Sequence, residues 1–328
     1  YRNNPSVVMW SIGNEVPTQC SAEGYKVASF LQDICHREDP TRPVTCGMDQ
    51  VSCVLENGFA AMIDVPGLNY RAHRYVESYN ALPQNIILGS ETASTVSSRG
   101  VYKFPVEKRA GVTYADHQSS GYDVEYCSWS NVPMRTLPWP MITTGLSGSL
   151  SGRVSTIWRT LSVRHGCLAQ PQFRIRHHRL GKPAQRPLLS VPQHLEQDRK
   201  HLHVLPHWTW PGREGENTPV FVYTSYPAAE LFVNGKSYGK QRKLTASESK
   251  ALQGKDSLAL QRRYRLMWMD VPYEPGELKV VAYDASGKPA EEKIVRTAGK
   301  PHHLELVADR TRLAATVKTL LHYRPRSR

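Results

Sequence analysis

The feature that most constrains this chain is a change of grammar along its length. Over residues 1–133, short apolar runs alternate with runs of helical periodicity. Val7–Ser11, Val44–Cys46, Ile63–Leu68 and Ile86–Gly89 read as strands. Gly24–Arg37 reads as a helix stopped by Asp39-Pro40, and Val51–Ala61 as a second helix. A βαβα order with short connections specifies a parallel sheet or barrel, because parallel strands need helical crossovers. From residue 198 to 300 the pattern differs. Pro219–Tyr223, Ala229–Val233, Arg265–Val271, Leu278–Tyr283 and Lys293–Arg296 are strand-like and separated by turn signals such as Asn234-Gly235 and Glu274-Pro275-Gly276. Short strands at that spacing predict an all-β sandwich. A further strand, Leu304–Val307, opens another β domain over 301–328.

Residues 134–197 follow neither grammar, and the charge shows where they are odd. The chain carries a formal net charge of +13. Residues 134–197 hold eight arginines and Lys182 against the single acid Glu196; residues 313–328 hold Lys318, Arg324, Arg326 and Arg328 and no acid. The rest is close to neutral, and charge this segregated calls for a cause. The run Arg174-Ile175-Arg176-His177-His178-Arg179 is the best candidate for nucleic-acid contact, but it lacks the motif and interleaved aromatics of such a surface. No run of 18 apolar residues offers a membrane span. Cys20, Cys35, Cys46, Cys53, Cys127 and Cys167 form no CxxC pair, so buried or half-buried thiols are expected rather than a zinc site or a disulfide framework.

Two carboxylates follow directly on strands: Glu15 after Val7 to Asn14, and Glu91 after Ile86 to Ser90. Strand C-terminal ends form the active face of a (β/α)8 barrel. Two carboxyls there suit glycoside cleavage, one protonating the leaving oxygen and one attacking or activating water. Taken alone, such a pair is more often helix-capping or surface charge. The flanking residues change this. Asn4-Pro5-Ser6-Val7-Val8-Met9-Trp10-Ser11-Ile12-Gly13-Asn14-Glu15 closely resembles the acid/base motif of glycoside hydrolase family 2, the β-galactosidase and β-glucuronidase family. Gly89-Ser90-Glu91-Thr92-Ala93-Ser94 resembles the nucleophile motif of its bacterial β-galactosidase-like branch.

The resemblance implies Glu15 as general acid/base at the fourth barrel strand, Asn14 binding the sugar 2-hydroxyl, Glu91 as nucleophile at the seventh, and Tyr70 hydrogen-bonded to the nucleophile. It implies the C-terminal part of a (β/α)8 TIM barrel followed by an immunoglobulin-like sandwich. The expected reaction is double-displacement hydrolysis of terminal β-D-galactosides, with no metal or other cofactor and a carbohydrate as the partner; neither nucleic acid nor membrane is expected. β-Glucuronidase, β-mannosidase and a non-catalytic carbohydrate-binding relic are the alternatives. The Asn-x-Lys motif of the family's glucuronidases is not found late in the barrel, which favours a neutral sugar. His73, Asp116 and His117 lie in strand-end loops and read as ordinary polar loop residues more readily than as ligands. Trp208 and Trp210 read as packing residues more readily than as a sugar platform.

The resemblance stops near Pro133 and resumes near Arg199. Regrouping synonymous codons for Gly148–Trp158 by one base permits QFVWTGFDYL, similar to the family's last barrel strand. Three single-base losses, near 133, 158 and 197, account for the whole of 134–197 as out-of-frame text, and a further slip accounts for the tail. The chain therefore reads as an internal fragment that lacks the first barrel strands and is itself inactive. Export is what the resemblance suggests for localisation, and oligomeric state is left open.

Overall fold

The computed structural model describes residues 3–92, 98, 100–130, 146–149, 200–300, 304–308 and 323–327. The segment 134–197, apart from 146–149, lies outside the described residues, as does most of the chain beyond 308.

The first region is built on a parallel sheet. Strands β1 (Trp10–Asn14), β2 (Val44–Met48), β3 (Val65–Asn69) and β4 (Ile87–Glu91) lie side by side in sequence order, and β7 (Leu146–Ser149) extends the sheet beyond β4. All five residues of β2 and of β3 are buried. Strands covered on both faces are read from continuous apolar runs rather than alternation, which is why Val44–Cys46 and Ile63–Leu68 stood out in the sequence. The crossover helix α1 (Ala22–Glu38) starts at Ser21, whose Oγ accepts a hydrogen bond from the Gly24 amide at 3.1 Å. It ends at Asp39 with His36 and Arg37 in its last turn, where cations favour the helix dipole. The helix expected over 51–61 is two: α2 (Val51–Glu56) and α3 (Phe59–Met62). Between them Gly58 takes a left-handed φ of 81° and the Asn57 side chain accepts from the Phe59 amide, so the chain turns where a straight helix would have carried on. Met48, Val54, Phe59, Leu68, Tyr75 and Ile87 centre the core, with Tyr75 opening α4 (Tyr75–Ala81).

One sequence expectation fails here. Cys20 and Cys53 are 5.4 Å apart at Cα and form a disulfide. Cys20 lies in the loop after β1 and Cys53 in α2 after β2; pairing of those strands brings together segments 33 residues apart in sequence. Spacing within the sequence contained no trace of this contact. Cys46 and Cys127 are the buried thiols that were expected, and Cys35 is half-buried.

Residues 100–130 form an irregular layer containing the short pair β5 (Arg109–Ala110) and β6 (Glu125–Tyr126). The layer docks on the second region, a two-sheet β unit. Its three-stranded sheet pairs β9 (Val220–Thr224) with β8 (Leu202–Leu205) and β12 (Leu266–Trp268). Its four-stranded sheet runs β11 (Lys236–Arg242), β10 (Ala228–Val233), β13 (Glu277–Tyr283), β14 (Pro289–Arg296). The turn from β10 to β11 is Asn234-Gly235, both with positive φ, as a tight hairpin requires. Strand β13 alternates buried and half-buried residues, whereas every residue of β9 is buried. Val220 and Val222 enter the core between the two sheets with Trp208, Leu231 and Val280, while Phe221 and Tyr223 pack on the other side against Tyr122 and Val124 of the 100–130 layer. Helix α5 (Ala246–Ala251) opens with a capping box between Thr245 and Glu248. Beyond the unit, β15 (Leu304–Ala308) pairs antiparallel with β16 (Tyr323–Ser327).

A fully buried ion pair joins layer and β unit. Arg265 and Asp123 are 3.3 Å apart, with side chains 0% and 1% exposed. Arg265 also donates to the Tyr223 hydroxyl and, at 3.1 Å, to the Asp123 carbonyl. Desolvation raises the Asp123 carboxyl to about 6 despite the neighbouring guanidinium.

Candidate active site

The site forms where β1, β3 and β4 end on the same edge of the parallel sheet. Asn69, the last residue of β3, is fully buried and has its amide committed in three directions. Its Nδ2 donates to Glu15 Oε1 at 2.9 Å and to Asn14 Oδ1 at 3.0 Å, and its Oδ1 accepts from Ser90 Oγ at 2.6 Å. One buried amide thus ties the end of β1 to the end of β4. Tyr70 completes the link: its hydroxyl donates to Glu91 Oε2, and its backbone amide donates to the Glu91 carbonyl at 2.5 Å. Glu15, Asn14, Tyr70 and Glu91, the four residues singled out from sequence, therefore belong to one hydrogen-bonded cluster.

The backbone is shaped to present them. Glu15 and Tyr70 have φ of 48° and 56°, a left-handed conformation uncommon for residues other than glycine. Such outliers persist only when their surroundings hold them. Here the Glu15 amide donates to the Gly47 carbonyl at 2.8 Å and Tyr70 is held at both its amide and its hydroxyl. Gly47 is required sterically: a Cβ there would lie 2.3 Å from Asn14 Oδ1 and 3.2 Å from Asn69 Oδ1. Gly67 is similarly constrained, since a Cβ would lie 2.8 Å from both the Cys46 carbonyl and Ser90 Oγ.

The two carboxyls differ in their surroundings. The Glu15 carboxyl is raised above its ordinary value, chiefly by desolvation, with the Asn69 hydrogen bond opposing and the charges of Asp49 and Glu91 adding to the rise. Solvent reaches the Glu15 side chain, so the crowding is one-sided rather than complete. Glu91 instead receives the Tyr70 hydroxyl. A carboxyl biased toward the protonated form beside one held by a donor is the asymmetry that acid-plus-nucleophile chemistry uses.

Sequence reasoning missed Asn69, Ser90 and Asp49 as members of this cluster. Asn69 and Ser90 directly adjoin Tyr70 and Glu91, which was the available signal. His73 lines the cavity next to the cluster. Asp116 pairs with Lys103, and His117 sits in an exposed turn, its amide bonded to the Tyr114 carbonyl. Trp208 is a core residue whose Nε1 donates to the Glu274 carbonyl, and Trp210 stacks on His207 and meets Tyr102 and Phe104 edge-on. Both are packing residues. Among the described residues no cluster of three or more His, Cys, Asp or Glu could hold a metal ion, and no helix is long and apolar enough to cross a membrane.

The chain is similar to known glycoside hydrolases. Residues 1–118 match the family "Glycosyl hydrolases family 2, TIM barrel domain", and residues 215–291 match a domain of unknown function (DUF4982). The β-galactosidase BoGH2A of Bacteroides ovatus is 29% identical over 368 residues, a match covering 97% of this chain and 40% of that protein. A putative β-glucuronidase of Formosa agariphila is 25% identical over 343 residues, covering 93% and 29% respectively. The chain thus spans two fifths or less of the length of these relatives. The crystal structure of a family 2 glycosyl hydrolase from Bacteroides cellulosilyticus superposes with a TM-score of 0.66 at 26% identity, over 96% of this chain and 36% of that one. A β-glycosidase from Bacteroides vulgatus shares the fold with a TM-score of 0.68 at 23% identity, over 94% and 39%. Both carboxylate-bearing strand ends lie inside the 118 residues that match the TIM barrel domain of glycoside hydrolase family 2.

Proposed function

We propose that the site performs retaining hydrolysis of terminal β-D-galactosides. Glu91 attacks the anomeric carbon as Glu15 protonates the departing glycosidic oxygen. Glu15, now a carboxylate, deprotonates the water that displaces Glu91 and frees the sugar. Asn14 holds the 2-hydroxyl, and Tyr70 steadies Glu91 through its hydroxyl. The observation that carries this reading is the Asn69–Ser90 and Tyr70–Glu91 linkage, which draws two carboxylates from strand ends 76 residues apart into one cluster. The Bacteroides ovatus β-galactosidase supports the choice of sugar. A β-glucuronidase is the second reading, favoured by the Formosa agariphila relative.

We also propose that the two-sheet unit is immunoglobulin-like, and that residues 134–197 and the tail are out-of-frame text that leaves this chain without turnover. Resequencing the gene across codons 125–205 tests the latter: three recovered bases support it, and DNA that agrees with the protein removes it. In the gene product read in its restored frame, 4-nitrophenyl β-galactoside should be cleaved with retention. A 2-deoxy-2-fluoro-β-galactosyl fluoride should label Glu91, with no label on Glu91→Gln. Labelling elsewhere, or preference for the glucuronide, overturns the assignment of nucleophile or sugar respectively.

A further inference from the structure

A cavity of about 660 Å³ opens beside the carboxylate cluster, bounded by the loops after β2 and β3 and by Ser128–Ser130. Tyr70, Arg71, His73, Asp49 and Trp129 line it, together with both cysteines of the Cys20–Cys53 disulfide. Arg71 also acts electrostatically on Glu15, so the cavity adjoins the acid/base side of the cluster. In the reading above, Glu15 protonates the bond to the leaving group, and this is the side on which the leaving group lies.

The charges around the cavity are unequally committed. Asp49 uses Oδ1 to accept from Gln19 at 2.8 Å and Oδ2 to accept from Gln50 at 2.9 Å. Arg74 is paired with Glu77 and donates to Ser52 Oγ. Arg71 is different. Its Nη1 donates to the Trp129 carbonyl at 3.1 Å, and among the described residues it pairs with no carboxylate. A half-buried guanidinium fixed at one nitrogen, with no carboxylate paired to it among the described residues, is suited to an oxyanion from outside, for which its planar fork is shaped. Trp129 also lines this cavity, and aromatic side chains are common in the walls of ligand sites.

We propose that this cavity is a subsite for an acidic leaving group, in which Arg71 binds a carboxylate or sulfate carried by the sugar on the leaving side. The proposal rests on the glycosidase reading for its orientation, but not for its charge preference. The substrate class is then a β-glycoside of a uronic acid, aldonic acid or sulfated sugar rather than of a neutral one.

The test measures binding to this 328-residue chain, so it does not depend on turnover. Lactobionate and lactitol share a galactosyl group and an open-chain polyol, and differ in a carboxylate against a hydroxymethyl group. Titration calorimetry in 0.15 M salt should show lactobionate tighter by about ten-fold, the scale of one charge-assisted hydrogen bond. Arg71→Gln should reduce the ratio to within about two-fold of unity, while Arg71→Lys should keep most of it, since a retained charge preserves the attraction and guards against a folding artefact. A wild-type ratio of one, or a preference that survives Arg71→Gln, overturns the subsite. Glucuronate against glucose, followed by ligand-observed NMR, separates the two readings. If the galactoside assignment is wrong and the subsite is right, Arg71→Gln abolishes the anion preference in this second pair. If the subsite is wrong, Arg71→Gln changes neither pair, and any preference for glucuronate belongs to the site of the glycosyl group.

Discussion

Two buried polar hubs organise this molecule, and they differ in kind. Asn69 at the candidate active site is a neutral amide that reaches two strand ends without bringing a charge of its own. Arg265, between the 100–130 layer and the β unit, is a charge fully enclosed with a charged partner. A neutral hub suits a site whose charges must come and go. An enclosed ion pair suits a joint, because losing one partner strands the other in a low-dielectric interior.

The largest way to break that contrast is Arg265→Met. It should cost about 3–5 kcal/mol in urea denaturation, because Asp123 is left buried and unpaired. The double variant Arg265→Met/Asp123→Leu should recover most of the loss; equal losses in both would deny the pair its role as a charged joint. Next in size is a pH effect. The Asp123 carboxyl is raised to about 6 in the folded chain, above its unfolded value of about 3.9. The native state therefore holds this proton more tightly, and its contribution to stability is greatest at low pH and declines as pH rises toward 6. The stability difference between wild type and Asp123→Asn, followed from pH 4 to 7 by urea midpoint, should show that decline; a flat difference would contradict it.

Asn69→Ala sharpens the other hub. It should cost about 1–3 kcal/mol through the Ser90 hydroxyl and Asn14 amide left without their partner. It should also raise the Glu15 carboxyl further, since the amide stabilises the ionised form. In a catalytically competent gene product, the alkaline limb of the kcat/KM profile should then move to higher pH. A limb that stays in place would assign it to another group. The smallest effect is Thr245→Ala, which removes the capping box of α5 without touching a hydrogen bond of either hub and should cost about 1 kcal/mol.

How much of this was legible differs between regions for a physical reason. The parallel strands announced themselves because burial on both faces leaves continuous apolar runs, and Asn234-Gly235 because a tight hairpin demands positive φ. Strand β11 was missed: Lys236–Arg242 is an edge strand, mostly exposed and polar, so no hydrophobic period marks it. Glu15 and Glu91 were legible through motif and strand-end position. Asn69 as their hub was not, because a residue's reach across two neighbouring strands is a property of the assembled sheet. The Cys20–Cys53 bond was illegible on the same ground.

Strand β9 carries a last consequence. Apolar on both sides, Val220–Tyr223 holds no inside-versus-outside message, and a slip of one position would exchange one hydrophobic face for another. What spells the register is the polar punctuation. Thr224 Oγ1 donates to the His201 carbonyl at 3.0 Å, and the Tyr223 hydroxyl meets Arg265. Those two oxygens act as the strand's error check, so the alignment of β9 within its own sheet is written in a pair of hydroxyls rather than in its greasy surface.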